Sequence, residues 1–136
     1  IFAHHEGYDD TGVFVISTGT RPKDARRATE LSFQEFRALA ETIVPEDELS
    51  ATKSGMIGRM LRSTETAISL ARFFGGRWRA RLPLETPDDR AQAIERVTAE
   101  QVQRVAQRIV AGAGDVRLAF VGPEDQGAEL LEATGG

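Results

Sequence analysis

The chain has 136 residues, 40% of them hydrophobic and 28% charged, a balance that excludes a wholly disordered or collagen-like polypeptide and suits one domain of ordinary size. Its formal charge is −4 and its pI about 5.2, opposite in sign to a duplex-binding surface, so nucleic acid is not an expected partner. Cysteine is absent, which excludes disulfide scaffolds, thiolate catalysis and cysteine-based zinc sites.

No apolar run approaches the roughly 20 residues of a membrane span, and no basic-then-apolar leader opens the sequence, so no membrane partner is expected. The chain starts at Ile1 inside a strand-like run, Ile1 to Tyr8, and the expectation is therefore a piece of a longer polypeptide.

Two β-like runs come first. Phe2 to Tyr8 and Thr11 to Thr18 flank Asp9-Asp10, with Gly7 and Gly12 close by, which is a hairpin signal. Val13-Phe14-Val15-Ile16 is apolar at consecutive positions and predicts a strand covered on both faces. The period then changes. From Pro22 onward Ala25, Ala28, Ser32, Phe36, Leu39 and Ile43 recur at helical spacing. Pro45 opens a second helix, with Glu46, Asp47 and Glu48 at its positive dipole end and a stripe from Leu49 to Phe74. Gly75-Gly76 is expected to end it. Inside the stripe Gly55 and Gly58 each cost about 1 kcal/mol against Ala, which points to close helix packing or a break near Ser63.

Two shorter helices follow. Thr86-Pro87-Asp88-Asp89 is a start signal, and Thr98-Ala99-Glu100-Gln101 fits a capping box ahead of Val102, Val105, Ala106 and Ile109. Gly112 to Gly114 then turns the chain into an expected last strand, Val116 to Val121, halted by Gly122-Pro123. The tail from Glu124 to Gly136 reads as a weak helix that frays. This β-β-α-α-α-α-β order predicts an α+β fold: a two-layer sandwich, an antiparallel or mixed sheet with helices packed on one face.

The residues offer little catalytic chemistry. His4 and His5 are adjacent on a strand and point to opposite faces, so they cannot share one metal without distortion. One of them could join Glu6 or Asp9 around a surface ion, but a solvated strand histidine accounts for each more simply. Ser50-Ala51-Thr52-Lys53 matches S-x-x-K without its companion motifs, and Lys53 reads as the charged edge of a helix stripe. Arg72, Phe73, Phe74, Arg77, Trp78, Arg79 and Arg81 form a basic, aromatic cluster. It suits an acidic partner or a single strand stacked on Trp78; the simpler expectation is three aromatics packed under the sheet and covered by arginine stems. Arg21, Lys23, Arg26 and Arg27 read as a solvated helix face, and Glu6, Asp9 and Asp10 as turn-formers. No residue is assigned a catalytic or metal-binding role, and substrate-binding residues stay unassigned.

Four stretches in order carry a family resemblance. They are Asp10-Thr11-Gly12-Val13-Phe14, the helix start from Val44 to Lys53 (with Thr52 where Ala is usual), Ile94 to Ala106, and Leu118 to Pro123. Together they resemble the C-terminal part of the non-catalytic domain of the insulinase-like (M16) zinc peptidases. The resemblance implies a partial domain over residues 1–123, lacking N-terminal strand and helix, and a tail over 124–136. It implies that zinc is held by H-x-x-E-H on another domain, with no cofactor in this segment. The family's R-x6-Y pair, thought to hold substrate backbone, would by register precede Ile1. Implied partners are an N-terminal zinc-binding domain or partner subunit, a peptide substrate in the parent protein, and further copies of this chain, because a truncated sheet leaves an edge open. The expected function is a substrate-enclosing fragment of an M16-type zinc metallopeptidase, inactive alone. The alternatives are a non-enzymatic M16-like assembly subunit and an unrelated α+β interaction module.

Overall fold

In the computed structural model, which describes residues 1–8, 10–112, 116–122 and 126–134, a two-stranded hairpin precedes a series of helices. The strands are β1 (Phe2–Gly7) and β2 (Gly12–Ser17). A 3-10 turn at Pro22–Asp24 leads into α1 (Ala25–Glu41), followed by α2 (Glu46–Ser63), α3 (Ala67–Arg79), α4 (Pro87–Glu95), α5 (Ala99–Ala111) and α6 (Gly127–Glu132). The expected α+β class is met, with a small antiparallel sheet and helices. The chain divides into two compact units, one of Ile1–Glu6, Gly12–Ile43 and Gln103–Gly136, the other of Gly7–Thr11 and Val44–Val102.

In the first unit the hairpin meets α1 through Phe14 and Phe36, whose rings stack at 5.0 Å and 20°. Cover stops there. Val13 and Phe14 remain exposed, so the expectation of a strand buried on both faces is not met. The reason is that the apolar run only makes burial favourable; other elements must supply it, and the sheet has two strands among the described residues. Val116 to Val121 likewise is not a strand here, and Val121 is fully exposed. A β-rich run becomes a strand only where a neighbour's backbone groups are in reach. The expected stop at Pro123, and most of the turn at Gly112 to Gly114, lie outside the described residues.

The C-terminal segment departs from the expectation of fraying. Leu130 of α6 is 2% exposed, Thr134 is buried, and the Arg37 guanidinium donates to the Thr134 carbonyl at 2.6 Å. Arg26 reaches Glu30 at 3.0 Å and Glu129 of α6 at 3.3 Å, so the expected solvated face also ties α1 to α6. At the other end of α1 the Gln107 amide of α5 donates to the Ala40 carbonyl at 3.0 Å, satisfying one of the acceptors a helix C-terminus leaves open.

In the second unit the long stripe is broken where the sequence placed a break. Ser63 Oγ and Thr64 Oγ1 donate back to the Met60 carbonyl at 2.7 and 3.1 Å. Hydroxyls that compete for helix carbonyls favour an ending, and Thr66 then caps α3 by a reciprocal pair with Ser69. Gly55 and Gly58 are not there for packing: an added Cβ would meet only the flexible guanidinium ends of Arg59 and Arg62. Gly75-Gly76 does not stop α3, which continues to Arg79. Glycine lowers helix stability by about 1 kcal/mol but does not forbid the conformation.

Both predicted caps of the short helices form. Thr98 and Gln101 exchange backbone-to-side-chain bonds at 2.9 and 3.3 Å. Thr86 Oγ1 accepts from the Asp89 N–H at 3.1 Å, while the Asp89 carboxylate accepts from the Thr86 N–H at 3.0 Å. The Thr86 hydroxyl and N–H hold the Asp89 carboxyl below its ordinary 3.8. A carboxyl depressed in the native state adds stability that is present above the unfolded value and is lost as pH falls through the lower native one. Thr86→Ala is therefore expected to lower stability near neutrality and to flatten the loss of stability on acidification below 3.8, both read by urea unfolding across pH.

Candidate functional site

The histidines sit on β1, and their side chains take opposite faces of the ribbon. His4 Nε2 lies 3.5 Å from Glu6 Oε1, two residues on and therefore on the same face, and both are half-exposed. Asp9 lies outside the described residues. Among the described residues no group of three or more histidine, aspartate or glutamate side chains could hold a metal ion. One His and one Glu do not make the three protein ligands a catalytic zinc needs, so a zinc ion does not fit the described residues.

Ser50 and Lys53 share a helix but no chemistry. Lys53 Nζ donates to the Glu95 carbonyl at the end of α4 at 3.1 Å, so the residue clips α2 to α4 within the second unit. An ammonium at a helix C-terminus also meets the negative end of its dipole. Ser50 is exposed.

The basic cluster on α3 takes a form the sequence did not suggest. Phe73 and Phe74 are half-buried and meet edge to face at 5.5 Å, but Trp78 is 76% exposed. The expectation that all three aromatics pack beneath a sheet fails at Trp78. Phe74 and Trp78 are four apart, one turn of helix, and so share a face, yet Trp78 stands in the last turn of α3 and stays exposed.

That ending is unusual. The Leu82 N–H donates to the Arg77 carbonyl at 2.9 Å and the Arg81 N–H to the Trp78 carbonyl at 3.0 Å, the two bonds of a Schellman cap. The cap puts Arg81 at φ 54°, in the left-handed region normally occupied by glycine. Arg77 locks the arrangement from beneath. Its guanidinium donates to the Pro83 carbonyl and to the Glu85 carboxylate, each at 2.7 Å, and stands 5.9 Å from the Phe73 ring centre, with only 12% of the side chain exposed. The sequence marked Arg77 as one of several stem-covering arginines; its partner Glu85 lies beyond a proline, a pairing that no local spacing rule indicates.

Comparison with known proteins bears on the rest. Residues 1–56 match the family described as the peptidase M16 inactive domain. Over 110 residues the chain is 26% identical to mitochondrial-processing peptidase subunit alpha of Homo sapiens and of Pongo abelii, covering 81% of this chain and 21% of each relative. The Caenorhabditis elegans protein of the same name is 24% identical over 121 residues, 85% of this chain and 23% of that one. The chain thus spans about a fifth of the length of the curated relatives it matches. No solved structure matches it. The hairpin, α1 and the first part of α2 fall in the matched residues, and the sequence signatures at Asp10 to Phe14 and Val44 to Lys53 lie there too. Over residues 1–56 the chain is thus similar to the peptidase M16 inactive domain, and over most of its length, at low identity, to subunit alpha of mitochondrial-processing peptidases.

Proposed function

We propose that the chain is part of the non-catalytic, substrate-enclosing half of an M16-type zinc metallopeptidase. The match of residues 1–56 to the inactive domain carries this reading. On it, residues 1–123 belong to that half and 124–136 form its C-terminal segment. The zinc and the H-x-x-E-H that holds it reside on another domain or subunit, in keeping with relatives whose name makes them one subunit of a peptidase. The hairpin supports the reading: with one neighbour each among the described residues, β1 and β2 present open edges to which an extended peptide can add through main-chain hydrogen bonds. The same open edges favour association of the chain with further copies of itself.

Co-expression with a separately encoded M16 half bearing H-x-x-E-H tests the proposal. The two are expected to co-purify and to hydrolyse an unstructured peptide in a zinc-dependent manner, while the chain alone, sized by light scattering as a dimer or larger, shows none. Failure to co-purify overturns the reading, as does zinc-dependent hydrolysis by the repurified chain alone. A complex that forms, binds zinc and cleaves nothing replaces it with the assembly-subunit reading.

A further inference from the structure

The C-terminal end of α3 and the turn that follows it carry exposed apolar side chains interleaved with arginines. Trp78 is 76% exposed, Leu82 52% and Leu84 65%, three large apolar side chains within residues 78–84. Arg79 and Arg81 alternate with them, and Arg72 stands one heptad before Arg79 on the same helix face. These three arginines make no ion pair with any described residue, whereas Arg77, at the base, is neutralised by Glu85. The patch is therefore cationic on a chain whose formal charge is −4. The backbone beneath it is held rather than loose, by the Schellman cap and the Arg77 clamp. It is held at a cost. Arg81 occupies the left-handed region, where a non-glycine residue is strained and glycine would relieve it.

We propose that this surface binds an acidic protein segment, seating an apolar side chain of that segment against Trp78, Leu82 and Leu84 while its carboxylates face Arg72, Arg79 and Arg81. Tryptophan and arginine are the side chains that most often anchor protein interfaces, and a preorganised backbone lowers the ordering cost of binding. The charge sets the occupant's sign. Its class follows from the apolar groups. A single-stranded nucleic acid is held by successive aromatic platforms, and here Trp78 is the one exposed ring, since Phe73 and Phe74 are half-buried against each other and leucines offer no stacking face. The surface lies outside residues 1–56, so the inference stands or falls independently of the peptidase reading.

Trp78 is the only tryptophan in the chain, so its emission reports on this patch alone. The test titrates the full chain with a synthetic peptide of alternating glutamate and leucine, with the same peptide carrying lysine for glutamate, and with a single-stranded oligothymidine. The glutamate peptide is expected to move the emission to shorter wavelength, to saturate, and to weaken as salt is raised. The charge-reversed variant Arg79→Glu/Arg81→Glu should bind it at least about tenfold more weakly. Arg81→Gly keeps the fold testable: it should unfold at the wild-type temperature or above, and still bind several-fold more weakly for want of one charge. An emission unmoved by the glutamate peptide overturns the proposal. So does equal binding of the lysine peptide, tighter binding of the oligothymidine, or an emission that already shifts with protein concentration alone, which would make a second copy the occupant.

Discussion

Replacing Leu130 with alanine is expected to release α6 from α1, with a loss of about 2–4 kcal/mol read by denaturant unfolding of the first unit. The helix has six residues, too few to persist by its own hydrogen bonds, so what keeps it folded is docking. Leu130 is the most buried apolar residue described, and the other buried apolar residues among those described are Leu49 and four alanines. The truncation removes most of the apolar surface α6 buries, and the Arg37 bond to the Thr134 carbonyl depends on the same docking. Hydrogen exchange should therefore show the amides of Leu130, Ala133 and Thr134 unprotected while those of α2 keep their protection. Leu131→Ala, at an exposed neighbouring position, should change stability by less than about 0.5 kcal/mol. Equal effects of the two substitutions would mean that α6 is not held by the Leu130 contact.

The second large effect is expected at Arg77. Arg77→Ala removes two charge-assisted hydrogen bonds from a mostly buried guanidinium and leaves the Glu85 carboxylate, itself about one third exposed, without its cation. A loss of about 2–3 kcal/mol follows from such bonds, and the turn over residues 80–86 should become sensitive to limited proteolysis. Arg77→Lys should recover less than half of this. A lysine ammonium can meet the Glu85 carboxylate or the Pro83 carbonyl, but it lacks the planar fork that meets both, and it loses the stacking on Phe73. Because the pair is shielded, the effect should persist in high salt, unlike that of the exposed Arg26–Glu30 pair. Full rescue by lysine would reduce the clamp to simple charge pairing.

Much of the local structure was legible before any coordinates. The hairpin of β1 and β2, the helix starts at Pro22, Pro45 and Thr86, the break after Ser63 and the Thr98 cap all rest on groups within a few residues of one another. Caps and turns are decided by which polar side chain can reach which backbone group, and that reach is short. The likeness of residues 1–56 to the peptidase M16 inactive domain was legible for a related reason, since the signatures at Asp10 to Phe14 and Val44 to Lys53 are contiguous stretches. The errors share the opposite property. Gly75-Gly76 looked like a stop, but the helix runs on to Arg79 and ends in a Schellman cap with Arg81 in the left-handed region, braced by Arg77 reaching to Glu85. The Trp78 side chain looked like core because it is large and apolar, and no helical period can say that nothing lies opposite it.

By itself, the sequence determined where elements begin, the negative charge, the lack of thiol chemistry, and the likeness of residues 1–56 to an inactive peptidase domain. Only the tertiary structure decided which apolar runs are covered. It left Val116 to Val121 without a strand partner among the described residues, docked α6 on α1 through Leu130, and exposed Trp78 above a clamped turn. The physical reason is that burial and sheet pairing depend on surfaces brought together from distant parts of the chain. Hydrophobicity makes such contact favourable but does not name the partner.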